Sequence, residues 1–288
     1  MNAGEAVHLI AEQLEAAGID TARLDARILV AHAMEVESAR IFGYPETVLT
    51  DGQSQRLTEV STRRIGREPL ARIVGEKEFW SLTFKVSEET LIPRPETETL
   101  VECVLEHISD KAAPLNILDL GTGSGCLLLA LLHEIESATG IGVDMSDDAL
   151  KTAGENAISL GLDARVQFQK NDWCHGLGQT FPEGFDLIVS NPPYIPNDEI
   201  PGLEPEVAVF EPYAALAGGE DGLDAYRNLV MASTGLLASG GVLGFEVGRT
   251  QAEQVRDLGI AAGLGFVEIR EDLAGITRCV LFSGTKDT

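Results

Sequence analysis

The segment Asn116–Leu132, NILDLGTGSGCLLLALL, constrains the fold more than any other part of the sequence. An apolar run suited to a buried strand leads into the loop Gly121–Gly125, which continues directly into an apolar helix. Glycines at such a corner permit positive φ and allow a ligand to approach the backbone without interference from a Cβ atom. The free N–H groups at the start of the helix suit an anionic group. The segment therefore predicts a strand–loop–helix unit with a ligand at its turn.

The rest of the chain from residue 97 onward alternates strand-like and helix-like segments. This alternation predicts an α/β fold with a mainly parallel, doubly wound sheet. The final stretch, FVEIREDLAGITRCVLF, reads as two strands around Gly275, which we expect to form an antiparallel pair at the sheet edge.

The first part of the chain has a different pattern. Residues 1–75 show helical spacing and predict a small all-α domain, which we expect to recognise a substrate. Its second helix places Leu24, Ile28, Leu29 and His32 on one buried face. Residues 76–96 change to a period of two, which predicts a β-hairpin linker, and residues 97–288 form the catalytic domain. The densest basic patch lies in the helical domain, and we expect it to be a solvated face that contacts a partner. It consists of Arg56, Arg63, Arg64 and Arg67.

Composition and charge argue against several classes of protein. The formal net charge is −25, and residues 79–288 account for −21 of it, which argues against a nucleic-acid substrate because such binding depends on neutralising phosphates. No run approaches the roughly 20 apolar residues of a membrane span, and no secretory signal is evident. The four cysteines lack ligand spacing, so we expect reduced thiols, no metal site and a cytoplasmic location without membrane contact.

Polar residues follow the next two predicted strands. Asp144 comes 23 residues after Gly121, where a carboxylate can accept hydrogen bonds from both ribose hydroxyls. Asp172 can accept a hydrogen bond from an adenine amino group, and Trp173 can cover the ring. Loops of this kind bind NAD, FAD and S-adenosylmethionine alike, but the spacing here is GxGxG and not the dinucleotide GxGxxG. Together these features predict a nucleoside cofactor.

The fourth strand ends in Asn191-Pro192-Pro193-Tyr194. Two prolines stop any strand or helix and hold the backbone rigidly. The Asn191 side-chain oxygen and the Pro192 carbonyl are then two fixed acceptors, which can orient a planar –NH2 group toward a methyl donor. The Tyr194 ring can stack on that planar group. Delocalised amide nitrogens are poor nucleophiles, so positioning is the main contribution that this corner can make.

The glycine loop, Asp144 and the NPPY corner together resemble class I S-adenosylmethionine-dependent methyltransferases that modify exocyclic or amide nitrogens. Further segments resemble the release-factor glutamine methyltransferases, known as PrmC or HemK. The segments are LIPRPETE, NPPYIP, FEPYAALAGGEDGLDAYR, GFEVGRTQ and EDLAGITR. This resemblance covers essentially the whole chain and implies a Rossmann-like, seven-stranded sheet.

The resemblance implies methylation of the glutamine N5 in the GGQ motif of class 1 peptide-chain release factors. It implies cofactor contacts from Gly121, Thr122, Gly123, Ser124, Gly125, Asp144, Asp172, Trp173 and Asn191. It implies that Asn191, Pro192 and Tyr194 are catalytic and that, with Pro193, they bind the glutamine amide. Arg94 and Glu96 are expected to shape the entrance to the site.

The residues alone leave other functions open. An adenine-N6 or guanine-N2 nucleic-acid methyltransferase uses the same amine-gripping chemistry, although the acidic charge disfavours it. A non-catalytic cofactor-binding adaptor and a nicotinamide dehydrogenase fit the NPPY corner less well.

Overall fold

The structure is a computed structural model that describes residues 1–284. It contains two compact units. One comprises Met1–Glu76 with the later segment Glu204–Phe210, and the other comprises Lys77–Leu203 with the chain from Glu211 onward. The sequence prediction had assigned residues 204–210 to the catalytic domain. Within the described part of the chain, no helix has the length and apolar character needed to cross a bilayer.

The helical unit has its own apolar core and six helices. They are α1 (Ala3–Ala16), α2 (Ala22–Met34), α3 (Ser38–Gly43), α4 (Asp51–Ile65), α5 (Leu70–Val74) and α10 (Pro205–Ala208). Reciprocal capping boxes begin two of them, Asn2 with Glu5 at α1 and Thr50 with Gln53 at α4. Each box satisfies backbone N–H groups that a helix start otherwise leaves without partners.

A buried ion pair connects two of these helices. The Arg64 Nε of α4 donates to the Asp25 Oδ2 of α2 at 2.7 Å, and both side chains are less than a tenth exposed. The predicted buried face of α2 was therefore partly wrong, because Asp25 is buried whereas Leu24 and His32 are exposed. A charged residue can occupy the buried face when its partner completes its hydrogen bonds there.

The prediction that the arginine cluster forms a solvated, free cationic face is also wrong. Arg64 is buried, and its Nη1 donates to the Glu206 Oε1 at 2.8 Å. The remaining pairs are Arg67 with Glu204 and Glu206, Arg63 with Glu68, and Arg56 with Glu35. Carboxylates of the same unit thus neutralise this cluster.

The hairpin consists of β1 (Glu76–Phe79) and β2 (Leu82–Lys85). Trp80 and Ser81 form its two-residue turn, and both have positive φ, as a type I′ turn requires. Phe79 and Phe84 are buried in the core of the second unit, so the hairpin is packed and is not a free tether.

The second unit confirms the predicted mainly parallel, seven-stranded sheet. Its strand order is β5-β4-β3-β6-β7-β9-β8, in which β9 runs antiparallel to both of its neighbours. The strands are β3 (Asn116–Leu120), β4 (Thr139–Asp144), β5 (Val166–Lys170), β6 (Phe185–Ser190), β7 (Leu237–Glu246), β8 (Gly265–Glu271) and β9 (Thr277–Ser283). The predicted late antiparallel pair is therefore present.

Helices of the second unit connect these strands, and apolar clusters lie against the sheet. The helices are α6 (Glu98–His107), α7 (Cys126–Glu134), α8 (Asp147–Ser159), α9 (Leu177–Thr180), α11 (Tyr213–Leu216), α12 (Asp224–Thr234) and α13 (Ala252–Ala261). All six residues Leu127–Leu132 of α7 are buried, which matches the apolar helix predicted after the glycine loop.

We expect Gly259→Ala to destabilise the second unit. A Cβ atom there would lie 2.1 Å from the Phe282 ring, which is fully buried. Overpacking of this kind costs about 1–3 kcal/mol. The matched control is Gly154→Ala in α8, where a Cβ meets nothing within 4 Å and helix propensity favours alanine by up to about 1 kcal/mol. Urea unfolding followed by fluorescence measures both, and an unchanged midpoint for Gly259→Ala would contradict the packing argument.

Candidate active site

The carboxyl ends of four adjacent parallel strands, β4, β3, β6 and β7, meet at one edge of the sheet. Ligands of open α/β sheets bind at this edge. A cavity of about 270 Å³ opens here. Its walls are built from the glycine loop after β3, the ends of β4 and β6, the segment Glu89–Thr97 and the short helix α11.

The structure brings most of the predicted site residues together. Those that line the cavity are Arg94, Gly121, Thr122, Gly123, Ser124, Asp144, Trp173, Asn191 and Pro193. Five other predicted residues are chain neighbours of lining residues, but within the described chain they do not line the cavity themselves. They are Glu96, Gly125, Asp172, Pro192 and Tyr194. Asp172 is exposed, and its neighbour Asn171 lines the cavity instead. The binding roles of these five residues stay predictions.

Asp144 connects the glycine loop to the next strand. Its Oδ2 accepts a hydrogen bond from the Gly123 N–H at 2.9 Å, and its Oδ1 accepts one from the Ser146 N–H at 3.0 Å. Each carboxylate oxygen keeps a second lone pair for a ligand hydroxyl. Gly121 has a φ of 76° and lies against Trp173, whose ring would be 3.2 Å from a Cβ atom at this position. Both constraints require glycine there.

Two buried polar atoms at the cavity lack hydrogen-bond partners among the described residues. They are the Asp119 Oδ1 and the Ser124 Oγ. Burial raises the pKa of Asp119 to about 7, the Thr122 hydroxyl opposes this shift by donating at 2.6 Å, and the charge of Asp144 adds to it. A cationic ligand group beside Asp119 would supply the missing compensation for its charge.

Asn156 of α8 connects the hairpin to the glycine loop. Its side chain is fully buried, and its Nδ2 donates to the carbonyl oxygens of Ser124 at 2.9 Å and Lys85 at 3.1 Å. Its Oδ1 accepts from the Lys85 N–H at 2.8 Å. Because all of its hydrogen-bonding groups are engaged, this carboxamide fixes the loop against the hairpin.

Asn191 lies opposite the glycine loop at the end of β6. Its Nδ2 donates to the Thr97 Oγ1 at 3.3 Å. The adjacent Tyr194 hydroxyl donates to the Glu246 Oε1 at 3.4 Å, and burial raises the pKa of Tyr194 well above its ordinary value. With its nitrogen engaged, the Asn191 carboxamide keeps its oxygen as an acceptor for a ligand.

Arg94 has a fixed position at the cavity wall. Its Nη2 donates to the Glu211 Oε1 at 2.9 Å, and the Glu211 side chain is almost completely buried. Glu211 also accepts from the Ile92 N–H. A guanidinium held in this way presents its remaining donors in a defined direction.

Comparison with known proteins decides the family. The PrmC N-terminal domain model matches residues 5–75, and a methyltransferase domain model matches residues 111–220. The release factor glutamine methyltransferase of Rhodospirillum rubrum is 45% identical over 93% of this chain and 81% of its own length. That of Bradyrhizobium diazoefficiens is also 45% identical, over 94% of this chain and 91% of its own length. The chain belongs to the release factor glutamine methyltransferase family.

The family assignment confirms the predicted resemblance and makes the chain an S-adenosylmethionine-dependent methyltransferase. The fold agrees. The crystal structure of a methyltransferase from Pyrococcus furiosus matches with a TM-score of 0.52 at 16% identity, covering 79% of this chain and all of the other. The cavity also fits S-adenosylmethionine, because this cofactor carries positive charge for the unpaired Asp119 oxygen and a ribose diol for Asp144.

Sequence reasoning missed several residues at this release factor glutamine methyltransferase site. Thr97, Asp119 and Glu246 are buried polar residues within or beside apolar segments, so their periodicity resembles that of core positions. The available signal for Thr97, Glu211 and Glu246 was their place in the family segments LIPRPETE, FEPYAALAGG and GFEVGRTQ. For Asp119 the signal was a carboxylate two residues before the glycine loop.

We expect Asp144→Asn to weaken cofactor binding. The change removes charge-assisted hydrogen bonds worth about 1.5–3 kcal/mol, which corresponds to roughly a 10- to 100-fold higher Kd. The matched control is Asp147→Asn, because Asp147 is 73% exposed and pairs with Lys170. Its effect on Kd should stay within about twofold. Isothermal titration with S-adenosylmethionine distinguishes the two, and equal affinities would contradict the assigned role of Asp144.

Proposed function

We propose that this chain transfers a methyl group from S-adenosylmethionine to the side-chain N5 of the glutamine in the GGQ motif of class 1 peptide-chain release factors. The observation that carries the proposal is the position of Asn191. It lines the same cavity as the glycine loop and Asp144, and its Nδ2 is already engaged by Thr97. An acceptor oxygen is therefore available beside the cofactor region for a substrate –NH2 group.

In this proposal the substrate amide is held by two acceptor oxygens and by the packing of neighbouring side chains. The Asn191 Oδ1 and the Pro192 carbonyl accept the two hydrogens of the glutamine amide, and the paired prolines keep these oxygens fixed. Pro193 forms the adjoining wall. Tyr194 packs on the amide in the predicted arrangement, while its hydroxyl is held by Glu246.

The chemistry is a nucleophilic substitution at carbon. Bound S-adenosylmethionine would supply a methyl group on a sulfonium, whose C–S bond would break with its electron pair left on sulfur as the C–N bond forms. The protein orients the amide nitrogen in line with that bond, and such positioning contributes up to about 7–11 kcal/mol in favourable cases. The nitrogen then loses one proton to water, which needs no strong base because the methylated nitrogen is acidic.

Two further roles complete the proposal. Arg94, fixed by Glu211, contacts the substrate chain at the entrance, where Glu96 contributes negative charge. The helical domain, residues 1–75, recognises the body of the release factor. The arginine cluster is already paired with carboxylates of its own unit, so its contribution to that recognition stays a prediction. The reaction takes place in the cytoplasm, where release factors meet ribosomes, with neither nucleic acid nor membrane as a direct partner.

The substrate test compares three acceptors with labelled S-adenosylmethionine. They are purified release factor, its variant with alanine in place of the GGQ glutamine, and duplex DNA. We expect label on the unmodified factor alone, because the site orients a glutamine amide. Label on the alanine variant would place the modification at another residue. Label on none of the three acceptors would contradict the proposed substrate. Label on DNA would also contradict it and would favour an adenine-N6 or guanine-N2 nucleic-acid methyltransferase.

We expect Asn191→Ala to lower the single-turnover rate of methyl transfer by about 10²-fold, since the amide loses its orienting acceptor. Cofactor affinity should change much less. Asn197→Ala is the matched control on the same loop, because Asn197 is exposed and its side-chain oxygen accepts from the Gly219 N–H. Rapid-quench experiments measure the rate for both variants. A wild-type rate for Asn191→Ala would contradict the proposal that Asn191 orients the glutamine amide.

A further inference from the structure

The NPPY corner, Asn191–Tyr194, depends on the rest of the domain for its position. Two of its four residues are prolines, which have no backbone N–H and cannot donate to a neighbouring strand. The pairing of β6 with β7 also ends at Ser190, one residue before the corner. Contacts other than strand pairing must therefore hold the corner in place.

Ser190 fixes the first end of the NPPY corner. Its side chain is fully buried, and its Oγ donates to the Leu120 carbonyl at 2.6 Å. Leu120 is the last residue of β3 and directly precedes the glycine loop. The first end of the corner is thus bonded to the strand that carries the predicted cofactor loop.

Gln251 fixes the other end of the NPPY corner. Its Nε2 donates to the carbonyl oxygens of Tyr194 at 2.9 Å and Gly222 at 3.2 Å. Its Oε1 accepts from the Gly248 N–H at 3.0 Å, and the residue is only 7% exposed. Because both amide hydrogens and the oxygen are engaged, the orientation of this carboxamide is determined. It joins the corner to the loop before α12 and to the loop after β7.

Glycines let the segment between α11 and α12 come this close to the corner. Gly222 has a φ of 75°, and a Cβ atom there would lie 2.3 Å from the Tyr194 carbonyl oxygen. A Cβ atom at Gly218 would lie 2.8 Å from the Tyr194 Cα. The Gly218 N–H donates to the Ile195 carbonyl at 2.9 Å. This segment therefore packs directly against the end of the NPPY corner.

Fixing Tyr194 also fixes the two acceptor oxygens of the proposed substrate site. Pro192 and Pro193 each hold φ at about −65°, so few backbone torsions can change between the Tyr194 carbonyl and Asn191. A shift at Tyr194 is therefore transmitted to the Pro192 carbonyl and to Asn191. A misplacement of about 1 Å that arises far from the reacting atoms can lower a rate by about 10²-fold.

We propose that Gln251 is a positioning residue that holds the NPPY corner at the distance from the glycine loop that methyl transfer requires. Gln251 is not among the residues that line the cavity in the described chain, so it acts through the corner. This inference rests on the proposed function, since it assumes that the corner orients a substrate –NH2 group. It gives a role to Gln251 and Gly222, which the proposed chemistry does not use.

The experiment removes the Gln251 hydrogen bonds with and without the Asn191 carboxamide. The variants are Gln251→Met, Asn191→Ala and the double variant, because methionine has a similar length but cannot donate to the two carbonyls. Single-turnover transfer from labelled S-adenosylmethionine to purified release factor gives the rate. Steady-state assays give the KM for release factor, and isothermal titration gives the Kd for S-adenosylmethionine.

We expect Gln251→Met to lower the single-turnover rate by about 10- to 100-fold, because the corner is no longer held at Tyr194. The KM for release factor and the cofactor Kd should change by less than about threefold, since only the reacting geometry is disturbed. In the Asn191→Ala background, the same substitution should cost less than about threefold more, because the acceptor that Gln251 positions is already absent. A merely structural residue would lower the rate by the same factor in both backgrounds.

Arg165→Met is the matched control for a lost connection between backbone segments. The Arg165 guanidinium donates to the carbonyl oxygens of Leu132, Ile135 and Ala138 at 2.7–3.1 Å. It lies directly before β5 begins, at the amino edge of the sheet and away from the site. Methionine there should lower the urea midpoint of unfolding, because it removes these hydrogen bonds, but should leave the rate of methyl transfer unchanged.

Gly222→Ala tests the same contact from the other side. Its Cβ atom would collide with the Tyr194 carbonyl oxygen, so the rate should fall as it does in Gln251→Met. Gly161→Ala is its control. Gly161 also has a positive φ, 69°, but a Cβ atom there meets nothing within 4 Å, so this variant carries the backbone strain without the collision. It should keep the wild-type rate.

Four results would overturn the inference. They are a wild-type rate in Gln251→Met, an equal loss in both Asn191 backgrounds, a wild-type rate in Gly222→Ala, and a loss of cofactor binding in Gln251→Met. The last result would make Gln251 a support of the whole domain. Failure of the proposed function is distinct from these results, because the wild-type enzyme would then leave the release factor unlabelled.

Discussion

The position of β6 between β3 and β7 is the constraint on which the site depends. Parallel pairing on both sides of β6 brings three strand ends to the same level: the glycine loop, Asn191 and Glu246. Hydrogen-bonding ladders fix this register, and a slip of one residue would turn every side chain to the opposite face. The alignment of cofactor loop, substrate grip and buried carboxylate is thus a property of the sheet, and side chains only refine it.

Buried carboxylates perform most of that refinement. Asp119, Glu211 and Glu246 are each less than a tenth exposed, and each binds a different polar side chain in or next to the cavity. Glu211 holds Arg94, Asp119 holds Thr122, and Glu246 holds Tyr194. The strongly negative net charge of the chain therefore includes interior charges that orient neutral and cationic groups, in addition to charges that face solvent.

The features that follow a strand or a glycine loop were predictable from sequence, because periodicity locates strand ends and ligands bind there. Asp144 and Asn191 were found in this way. Thr97 and Glu246 were not, since the burial of a polar residue depends on contacts with distant segments and the local hydrophobic pattern does not reveal it. Their partners are also distant, as Thr97 and Asn191 are separated by 94 residues. The arginine cluster was misinterpreted for the same reason, because Glu204 and Glu206 approach it from a late segment.

That late segment has a consequence for biosynthesis. The helical unit is discontinuous, because Glu204–Phe210 completes it after more than half of the catalytic domain has been translated. A nascent chain that ends at residue 76 can already form the Asp25–Arg64 pair, but it lacks both carboxylates that bind Arg67. The amino-terminal unit therefore reaches its final set of ion pairs only once Glu206 has left the ribosome, and its maturation is coupled to that of the domain which follows it.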